Sequence, residues 1–187
     1  MKIERPKNDE FYEYTDDFTN DPFDDAIHEV CFTGHRNVPK NLKPALTELL
    51  AEIVESLYNR GARIFKAGGA VGFDTMAAQA VIDLKAKTRD GDIKLCLCLS
   101  SKQQSKSFSR FDQIIYNLIL ENSDSVSYES NVSNTESYYA RNRRLVSGSD
   151  VCVAFCTSQR GGTYYTCTQA LMSGVEFINL ADFIEFE

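Results

Sequence analysis

The sequence of 187 residues lacks the features of a membrane protein or a secreted protein. It contains no run of about 18 apolar residues, so we expect no membrane-spanning segment. Its first residues, MKIERPKNDEFYEYTDD, are polar and acidic and lack the apolar core of a signal peptide. These two absences predict a cytoplasmic protein with no membrane partner.

The patterns of metal sites and hydrolytic sites are also missing. The six cysteines form no C-x-x-C pair, and with only two histidines in the chain a zinc cluster has little support. All cysteines except Cys167 lie in or beside apolar, strand-like runs, which indicates reduced and mostly buried thiols. The spacing shows no Ser-His-Asp order and no paired carboxylates. We therefore predict no metal and no cofactor, and the spacing identifies no catalytic residue.

Positive charge is scarce at one end of the chain only. Residues 1–29 carry three Lys or Arg against ten Asp or Glu, which accounts for the whole net charge of −7. The other 158 residues carry 17 charges of each sign. We interpret residues 1–29 as an acidic arm, disordered or lying on the surface, and residues 30–187 as a single domain. A body without excess positive charge argues against nucleic acid as a partner.

After residue 29, six short apolar runs alternate with five segments of helical periodicity. The runs are 29–32, 62–67, 93–99, 125–128, 150–155 and 175–180, and the helical segments are 40–59, 72–86, 108–121, 138–147 and 163–173. Strands separated by helices pair in parallel through right-handed crossovers. The sequence therefore predicts a Rossmann-like three-layer α/β/α sandwich with a mostly parallel sheet of about six strands.

Glycines cluster where two of these strands end. They are Gly68, Gly69 and Gly72 after the second run, and Gly161 and Gly162 after the fifth. Ligands of open parallel sheets bind outside the carboxyl ends of the strands. There, glycine lets the backbone approach a phosphate, and a following helix offers unpaired N–H groups. The alternative is that the glycines only permit tight turns, and neither loop has the dinucleotide G-x-G-x-x-G or the Walker pattern.

The first run is followed by Thr33, Gly34, His35 and Arg36, which belong to the same predicted edge. Arg36 suits a bidentate contact to a phosphate. His35 is either a donor to a phosphate or a sugar, or a hydrogen-bonded structural residue. Asp74, in the second helical segment, either caps its helix or holds a ribose hydroxyl or the loop of the first strand.

A further predicted helix carries the run YYARNRRLV. Its arginines form a solvated basic face, or else Arg141 and Asn142 face the cleft and grip a ligand. Its tyrosines, Tyr138 and Tyr139, either stack on a ligand or pack the helix. Thr163 follows the second glycine pair, and it either caps its helix or gives its hydroxyl to a phosphate.

The motifs TGHR, AGGAVGFD, ARN and GGT, in this order and on these elements, resemble the SLOG superfamily and, within it, the YpsA-like branch. The resemblance covers about residues 30–180. It implies a Rossmann-like sheet, a homodimer, and binding of a nucleotide or a nucleotide-derived ligand such as an ADP-ribose-type molecule. Relatives include the LOG-type phosphoribohydrolases, which cleave a base from a nucleoside monophosphate, and the DprA-type DNA-binding proteins.

The resemblance also implies which residues bind the ligand. The two glycine loops match the two glycine motifs of the family, and Arg141 with Asn142 falls where LOG-type enzymes carry an Arg-Lys pair. Together with the residues at the sheet edge, the predicted ligand-binding set is Thr33, Gly34, His35, Arg36, Gly68, Gly69, Gly72, Asp74, Arg141, Asn142, Gly161, Gly162 and Thr163.

One departure from the family bears on catalysis. LOG-type hydrolases read P-G-G-x-G-T-x-x-E, and the glutamate is catalytic. When Gly162 and Thr163 are set on the Gly-Thr of that motif, Thr166 takes the place of the glutamate. A threonine cannot act as a carboxylate base. Three hypotheses stay open: nucleotide binding without turnover, LOG-type N-glycosidic hydrolysis, and DprA-like binding of single-stranded nucleic acid.

Overall fold

The computed structural model describes residues 27–184, in which strands and helices alternate. The strands are β1 Glu29–Gly34, β2 Ile64–Ala67, β3 Lys94–Ser101, β4 Ser125–Ser130, β5 Val151–Phe155 and β6 Glu176–Asn179. The helices are α1 Lys43–Asn59, α2 Phe73–Thr88, α3 Arg110–Glu121, α4 Thr135–Val146 and α5 Gly161–Met172. Residues 1–26 of the predicted acidic arm lie outside the described residues, so the division into arm and domain stays a prediction.

The six strands form one sheet in the order β4-β3-β2-β1-β5-β6, and every neighbouring pair is parallel. The predicted Rossmann-like α/β fold with six strands is confirmed. The chain adds β2, β3 and β4 on one side of β1 and then crosses to place β5 on the other side. The strand order therefore reverses between β1 and β5, where Gly34 lies opposite Phe155. Open α/β sheets bind ligands at such a reversal, outside the carboxyl ends of the strands.

Helices cover the sheet on both faces. Helix α1 buries a stripe of residues spaced about one turn apart, Leu46, Leu50, Val54 and Leu57, in the larger core that α2 and α3 also join. The smaller core lies under α4 and α5 and contains Cys31, Cys98, Leu145, Val146, Cys152 and Ala170. All six cysteines are free, as predicted, and four of them are buried. Among the described residues, no helix is both long and apolar enough to cross a membrane.

Two helices begin earlier than the sequence pattern predicts. Helix α4 begins at Thr135 because Asn134 and Ser137 form a capping box, in which each side chain accepts from the other residue's backbone N–H at 2.7 and 3.1 Å. Helix α5 begins at Gly161, and Arg160 occupies the cap position. The prediction that Thr163 caps this helix is therefore wrong, since Thr163 lies inside the first turn.

Candidate functional site

A cavity of about 400 Å³ opens at the carboxyl edge of the sheet, between the first turns of α4 and α5. Its walls are Thr33, Gly34, His35, Arg36, Ala70, Asp74, Thr135, Tyr138, Tyr139, Arg141, Asn142, Arg160, Gly161, Gly162 and Thr163. The structure thus brings together every residue of the predicted set except Gly68, Gly69 and Gly72. A second cavity of about 290 Å³ borders the other side of His35, but it contains neither a helix start nor a buried charge.

A buried ion pair forms one wall of the larger cavity. Nη1 of Arg141 donates to Oδ2 of Asp74 at 3.3 Å, and the two side chains are only 10% and 5% exposed. Asp74 also accepts from the backbone N–H of Ala70 at 3.3 Å. Burial raises the pKa of Asp74, and the Arg141 guanidinium opposes that shift. Asp74 thus holds Arg141 and the loop after β2, a partnership that the sequence reasoning did not assign.

Arg141 has hydrogen-bonding capacity left over. Its Nε is buried and has no hydrogen-bond partner within residues 27–184. An unsatisfied donor on a buried cation costs free energy, so such groups usually have a functional or a solvent partner. The Arg141 side chain also lines the cavity, so a ligand there lies next to a buried cation.

The N-terminus of α5 is open. Its cap residue, Arg160, makes no side-chain cap bond, and no acidic residue lies in the first turn. A β-carbon at Gly161 would meet nothing within 4 Å, and one at Gly162 would meet only Nδ2 of Asn142 at 3.7 Å. Uncapped first-turn N–H groups and the positive end of the helix dipole favour an anion. Open space in front of these glycines leaves room for one.

The N-terminus of α2 is closed by the protein itself. The backbone N–H of Phe73 donates to the carbonyl O of His35 at 3.1 Å. Asp74 places a carboxylate in the first turn of this helix. A phosphate at this end would face the carboxylate of Asp74, and the N–H of Phe73 is already used. Of the two glycine–helix corners in the predicted site, only the one at α5 suits an anion.

The glycines of the first loop make room for protein atoms. A β-carbon at Gly68 would overlap Nη1 of Arg141, and one at Gly69 would overlap the side chain of Leu99. At Gly72 it would overlap the carbonyl O of Arg36. The φ angles of Gly69 and Gly72 are +64° and +84°, which favour glycine in any case. A side chain at any of the three positions would collide with protein atoms and none of the three lines the cavity, which favours the alternative interpretation of this loop.

A Gly72→Ala substitution tests this packing role. It is expected to lower the free energy of unfolding by about 1–3 kcal/mol, because the new methyl group meets backbone and the φ angle becomes strained. Urea unfolding followed by circular dichroism measures the loss. Gly91 is the matched control, since its β-carbon would meet nothing within 4 Å. Gly91→Ala should change stability by no more than about 0.5 kcal/mol, and equal losses in the two variants would contradict the packing role.

Comparison with known proteins identifies the family of this domain. The model of the YspA SLOG family matches residues 30–180. The chain belongs to the YspA SLOG family. This confirms the resemblance carried by the four sequence motifs. No curated protein matches the chain significantly in sequence.

Solved structures share the fold of this SLOG domain. DNA processing protein A from Helicobacter pylori, described by its single-stranded DNA binding mode, matches with a TM-score of 0.58, 17% identity, and coverage of 84% of this chain and 67% of that protein. DprA from Streptococcus pneumoniae matches with a TM-score of 0.56, 16% identity, and coverage of 81% of this chain and 49% of that protein. TM1055 matches with a TM-score of 0.50, 16% identity, and coverage of 81% and 72%. The chain thus spans about half the length of the pneumococcal protein, and these likenesses concern the fold alone.

His35 ties together two loops of the SLOG domain. Its Nε2 accepts from the backbone N–H of Thr157 at 2.8 Å and lies 3.1 Å from the hydroxyl of the same residue. Its ring also meets the edge of Phe155, with centroids 6.0 Å apart. Because Nε2 is an acceptor here, the ring is neutral and carries its proton on Nδ1. This matches the structural alternative for His35, while Nδ1 keeps a donor for a ligand.

The neutral state of His35 predicts a pH dependence of stability. Burial lowers the pKa of His35 below its ordinary value of 6.5. Below pH 6.5 the folded protein therefore binds fewer protons than the unfolded chain. The contribution of neutral His35 to the free energy of unfolding is full above pH 6.5 and is lost as the pH falls towards the lowered pKa. The free energy of unfolding, measured at several pH values, should fall less over this window in His35→Gln than in the wild type. Identical pH profiles would contradict the assignment.

The arginine run of α4 divides between two environments. Arg141 is buried, whereas Arg143 and Arg144 are exposed. Arg144 lies 3.6 Å from Glu129, and Arg143 reaches the hydroxyl of Tyr165 at 3.5 Å. The solvated-face interpretation therefore fits the last two arginines, and the ligand interpretation fits only the first.

Five residues that line the cavity were not in the predicted set. They are Ala70, Thr135, Tyr138, Tyr139 and Arg160. Three of them, Thr135, Tyr138 and Tyr139, share a face of α4 with Asn142, at helical spacings of three or four residues. A helix that begins at Thr135 would have predicted this shared face from the sequence. The guanidinium of Arg36 lies over the Tyr138 ring at 5.5 Å, and Tyr139 meets Tyr165 edge to face at 4.7 Å. The tyrosines therefore form an aromatic wall of the cavity.

The position of the LOG-type glutamate is buried in this SLOG domain. The hydroxyl of Thr166 donates to the carbonyl O of Gly162 at 2.9 Å, and Thr166 does not line the cavity. Asp74 is the one carboxylate among the described residues that line it. Within residues 27–184 no group of three or more His, Cys, Asp or Glu side chains could hold a metal ion.

Proposed function

We propose that this SLOG protein binds a nucleotide or a nucleotide-derived ligand, of the nucleoside monophosphate or ADP-ribose type, in the cavity between α4 and α5. The observation that carries the proposal is the open, glycine-rich N-terminus of α5, which shares its cavity with the cation of Arg141. A phosphate at the first turn of α5 meets backbone N–H groups and the cation of Arg160.

The rest of the cavity suits the nucleoside. Tyr138 and Tyr139 offer ring faces for a base, and stacking on aromatic rings tolerates any base. Asn142 is held near the phosphate end, since its Nδ2 lies 3.4 Å from the carbonyl O of Gly162. Thr33 and Arg36 supply a hydroxyl and a cation from the end of β1 and the loop that follows it. The cavity volume of about 400 Å³ lies within the usual range for small-molecule sites.

Calorimetric titration tests the proposal. The panel is AMP, ADP-ribose and ATP, with adenosine as the phosphate-free match. We expect at least one phosphorylated member to bind with a Kd below about 1 mM, and adenosine to bind at least about tenfold more weakly. No heat from any member at millimolar concentration, or equal affinity for AMP and adenosine, would rule out the phosphate site.

A second candidate function is binding of single-stranded nucleic acid. The DNA binding named for the Helicobacter pylori protein counts against our sequence-based expectation that nucleic acid is not a partner. Next to the cavity, the exposed side chains of Tyr139 and Arg143 and the half-buried ring of Tyr165 form an aromatic and cationic surface. A gel shift with a single-stranded oligonucleotide at low salt separates the two functions, because contacts to several phosphates weaken steeply with added salt.

Catalysis is proposed only as an alternative. Release of adenine from AMP, lost in Arg141→Ala, would favour a hydrolase over a binding protein. With Thr166 at the glutamate position, we expect no release. The homodimer and the cytoplasmic location also remain predictions, and light scattering on the purified chain tests the first of them.

A further inference from the structure

An apolar surface is open to solvent at the β4 end of the sheet. On α3, the side chains of Phe111, Ile114 and Leu118 are 69%, 54% and 52% exposed. Their spacings of three and four residues place them on one flank of the helix. A contiguous row of large apolar side chains in water is typical of an interaction site.

Strand β4 extends this row. Val126 and Tyr128 are exposed and lie opposite core leucines of β3, so they point to the face of the sheet on which α3 packs. Within residues 27–184, β4 is the last strand on its side of the sheet. We define the α3–β4 surface as Phe111, Ile114, Leu118, Val126 and Tyr128.

Positive charge borders the α3–β4 surface. Residues 93–111 contain four Lys or Arg and no Asp or Glu. Three of these cations, Lys102, Lys106 and Arg110, are exposed in the segment that runs from the end of β3 to the first residue of α3. The ammonium of Lys102 lies 6.0 Å from the centre of the Tyr128 ring. The surface therefore suits a partner that combines apolar or aromatic side chains with negative charge.

The acidic arm of this chain contains such a segment. Residues 8–26 carry eight Asp or Glu and no Lys or Arg. They also contain five aromatic residues, Phe11, Tyr12, Tyr14, Phe18 and Phe23. These residues lie outside the described part of the chain, which starts at Ile27, two positions before β1.

The arm is long enough to reach the α3–β4 surface. A path of about 45 Å leads there from the start of β1, because it crosses three strand spacings of about 4.8 Å, the length of a strand and one helix layer. The 16 residues from Phe11 to Ala26 span up to about 53–58 Å when they are extended.

A second copy of the chain fits the surface less well. In a two-fold dimer the same surface faces itself, so Lys102, Lys106 and Arg110 of each copy would approach those of the other. Like charges that face each other across an interface oppose association. The arm instead brings the opposite charge.

We propose that residues 8–26 dock on the α3–β4 surface of the same chain, with aromatic rings on the apolar row and carboxylates beside Lys102, Lys106 and Arg110. Strand β4 lies three positions from β1 in the sheet, whereas the cavity lies at β1 and β5. The docking does not depend on nucleotide binding, so its test stands apart from that of the proposed function.

Photo-crosslinking of the full chain tests the docking. p-Benzoylphenylalanine replaces Phe111 in one variant and Leu171 in another, and peptide mass spectrometry locates the cross-links. Leu171 is the matched control, because it is 60% exposed on α5, which packs on β5 and β6 next to β1. A tether alone would bring residues 8–26 to both positions at a concentration of about millimolar order.

We expect position 111 to cross-link to residues 8–26 of the same molecule. The yield should be at least about tenfold higher than from position 171, because only docking adds to the effect of the tether.

Charge reversal tests the role of the cations. Lys106→Glu with Arg110→Glu should lower the yield from position 111 at least about threefold, since each exposed charge pair adds a small attraction. Lys40→Glu with Lys43→Glu is the matched control and should leave the yield unchanged, because both lysines are exposed and Lys43 begins α1 as Arg110 begins α3. Glutamate is favourable in the first turn of a helix, and circular dichroism checks that each variant is folded.

Four results would overturn the proposal. They are the absence of a cross-link from position 111 to residues 8–26, equal yields from positions 111 and 171, equal yields in the two charge variants, and a covalent dimer linked through α3. The last of these would identify a second copy as the occupant of the surface.

Discussion

Replacement of Asp74 by alanine is expected to lower the free energy of unfolding by about 3–5 kcal/mol. The carboxylate is the counter-ion of Arg141, and both side chains are nearly inaccessible to solvent. Without Asp74, the guanidinium stays in the core with its Nε already unsatisfied and loses the one charge partner that it has within residues 27–184. The backbone N–H of Ala70 loses its acceptor in the same step.

Urea unfolding of matched variants measures this effect. Glu55→Ala is the control, because it removes the carboxylate of an exposed ion pair with Lys87, in which the side chains are 45% and 64% exposed. Exposed pairs contribute about 0–1 kcal/mol, so this variant should remain close to the wild type. The double variant Asp74→Ala with Arg141→Ala should recover part of the loss, since it leaves no buried charge unpaired. A loss in Asp74→Ala no larger than in Glu55→Ala would contradict the buried-pair account.

The fold could be predicted from the sequence because its signals are local. Short apolar runs alternating with helical stripes specify parallel strands with crossover helices, and each helix begins within three residues of the predicted position. The sheet edge then brings Thr33, Arg36 and Gly162 into one cavity by topology alone.

The role of the first glycine loop could not be predicted, because it depends on contacts between distant residues. A side chain at Gly68 would have no room, because Arg141, 73 positions later, occupies the space beside it to reach Asp74. Gly69 is packed by Leu99 from the next strand. In sequence, both glycine loops look equally suited to a phosphate, and only these contacts show that the first is filled. His35 is similar, since its partner Thr157 lies 122 positions away.

A substitution at the start of α5 is expected to have the largest effect on ligand binding. Gly162→Asp should weaken AMP binding at least about tenfold, a difference of about 1.4 kcal/mol. The new carboxylate would lie in the first turn, where it repels the phosphate and competes for the same N–H groups. A side chain fits there, because the nearest atom to a β-carbon is Nδ2 of Asn142 at 3.7 Å.

The same substitution should not destabilise the fold. A carboxylate in the first turn of a helix is favourable by about 0.3–1 kcal/mol, and α5 has none. Loss of binding with unchanged or higher stability separates a ligand contact from a folding defect. Gly162→Ala adds a side chain without charge and serves as the matched control, with AMP affinity expected within about threefold of the wild type.

Calorimetric titration of AMP into the wild type, Gly162→Asp and Gly162→Ala under one salt condition is the most direct test of the phosphate site at α5. We predict that the wild type and Gly162→Ala bind AMP with similar affinity, and that Gly162→Asp binds at least about tenfold more weakly while unfolding at the same or a higher urea concentration. Equal AMP affinity in the wild type and Gly162→Asp would contradict the assignment of the phosphate to this helix.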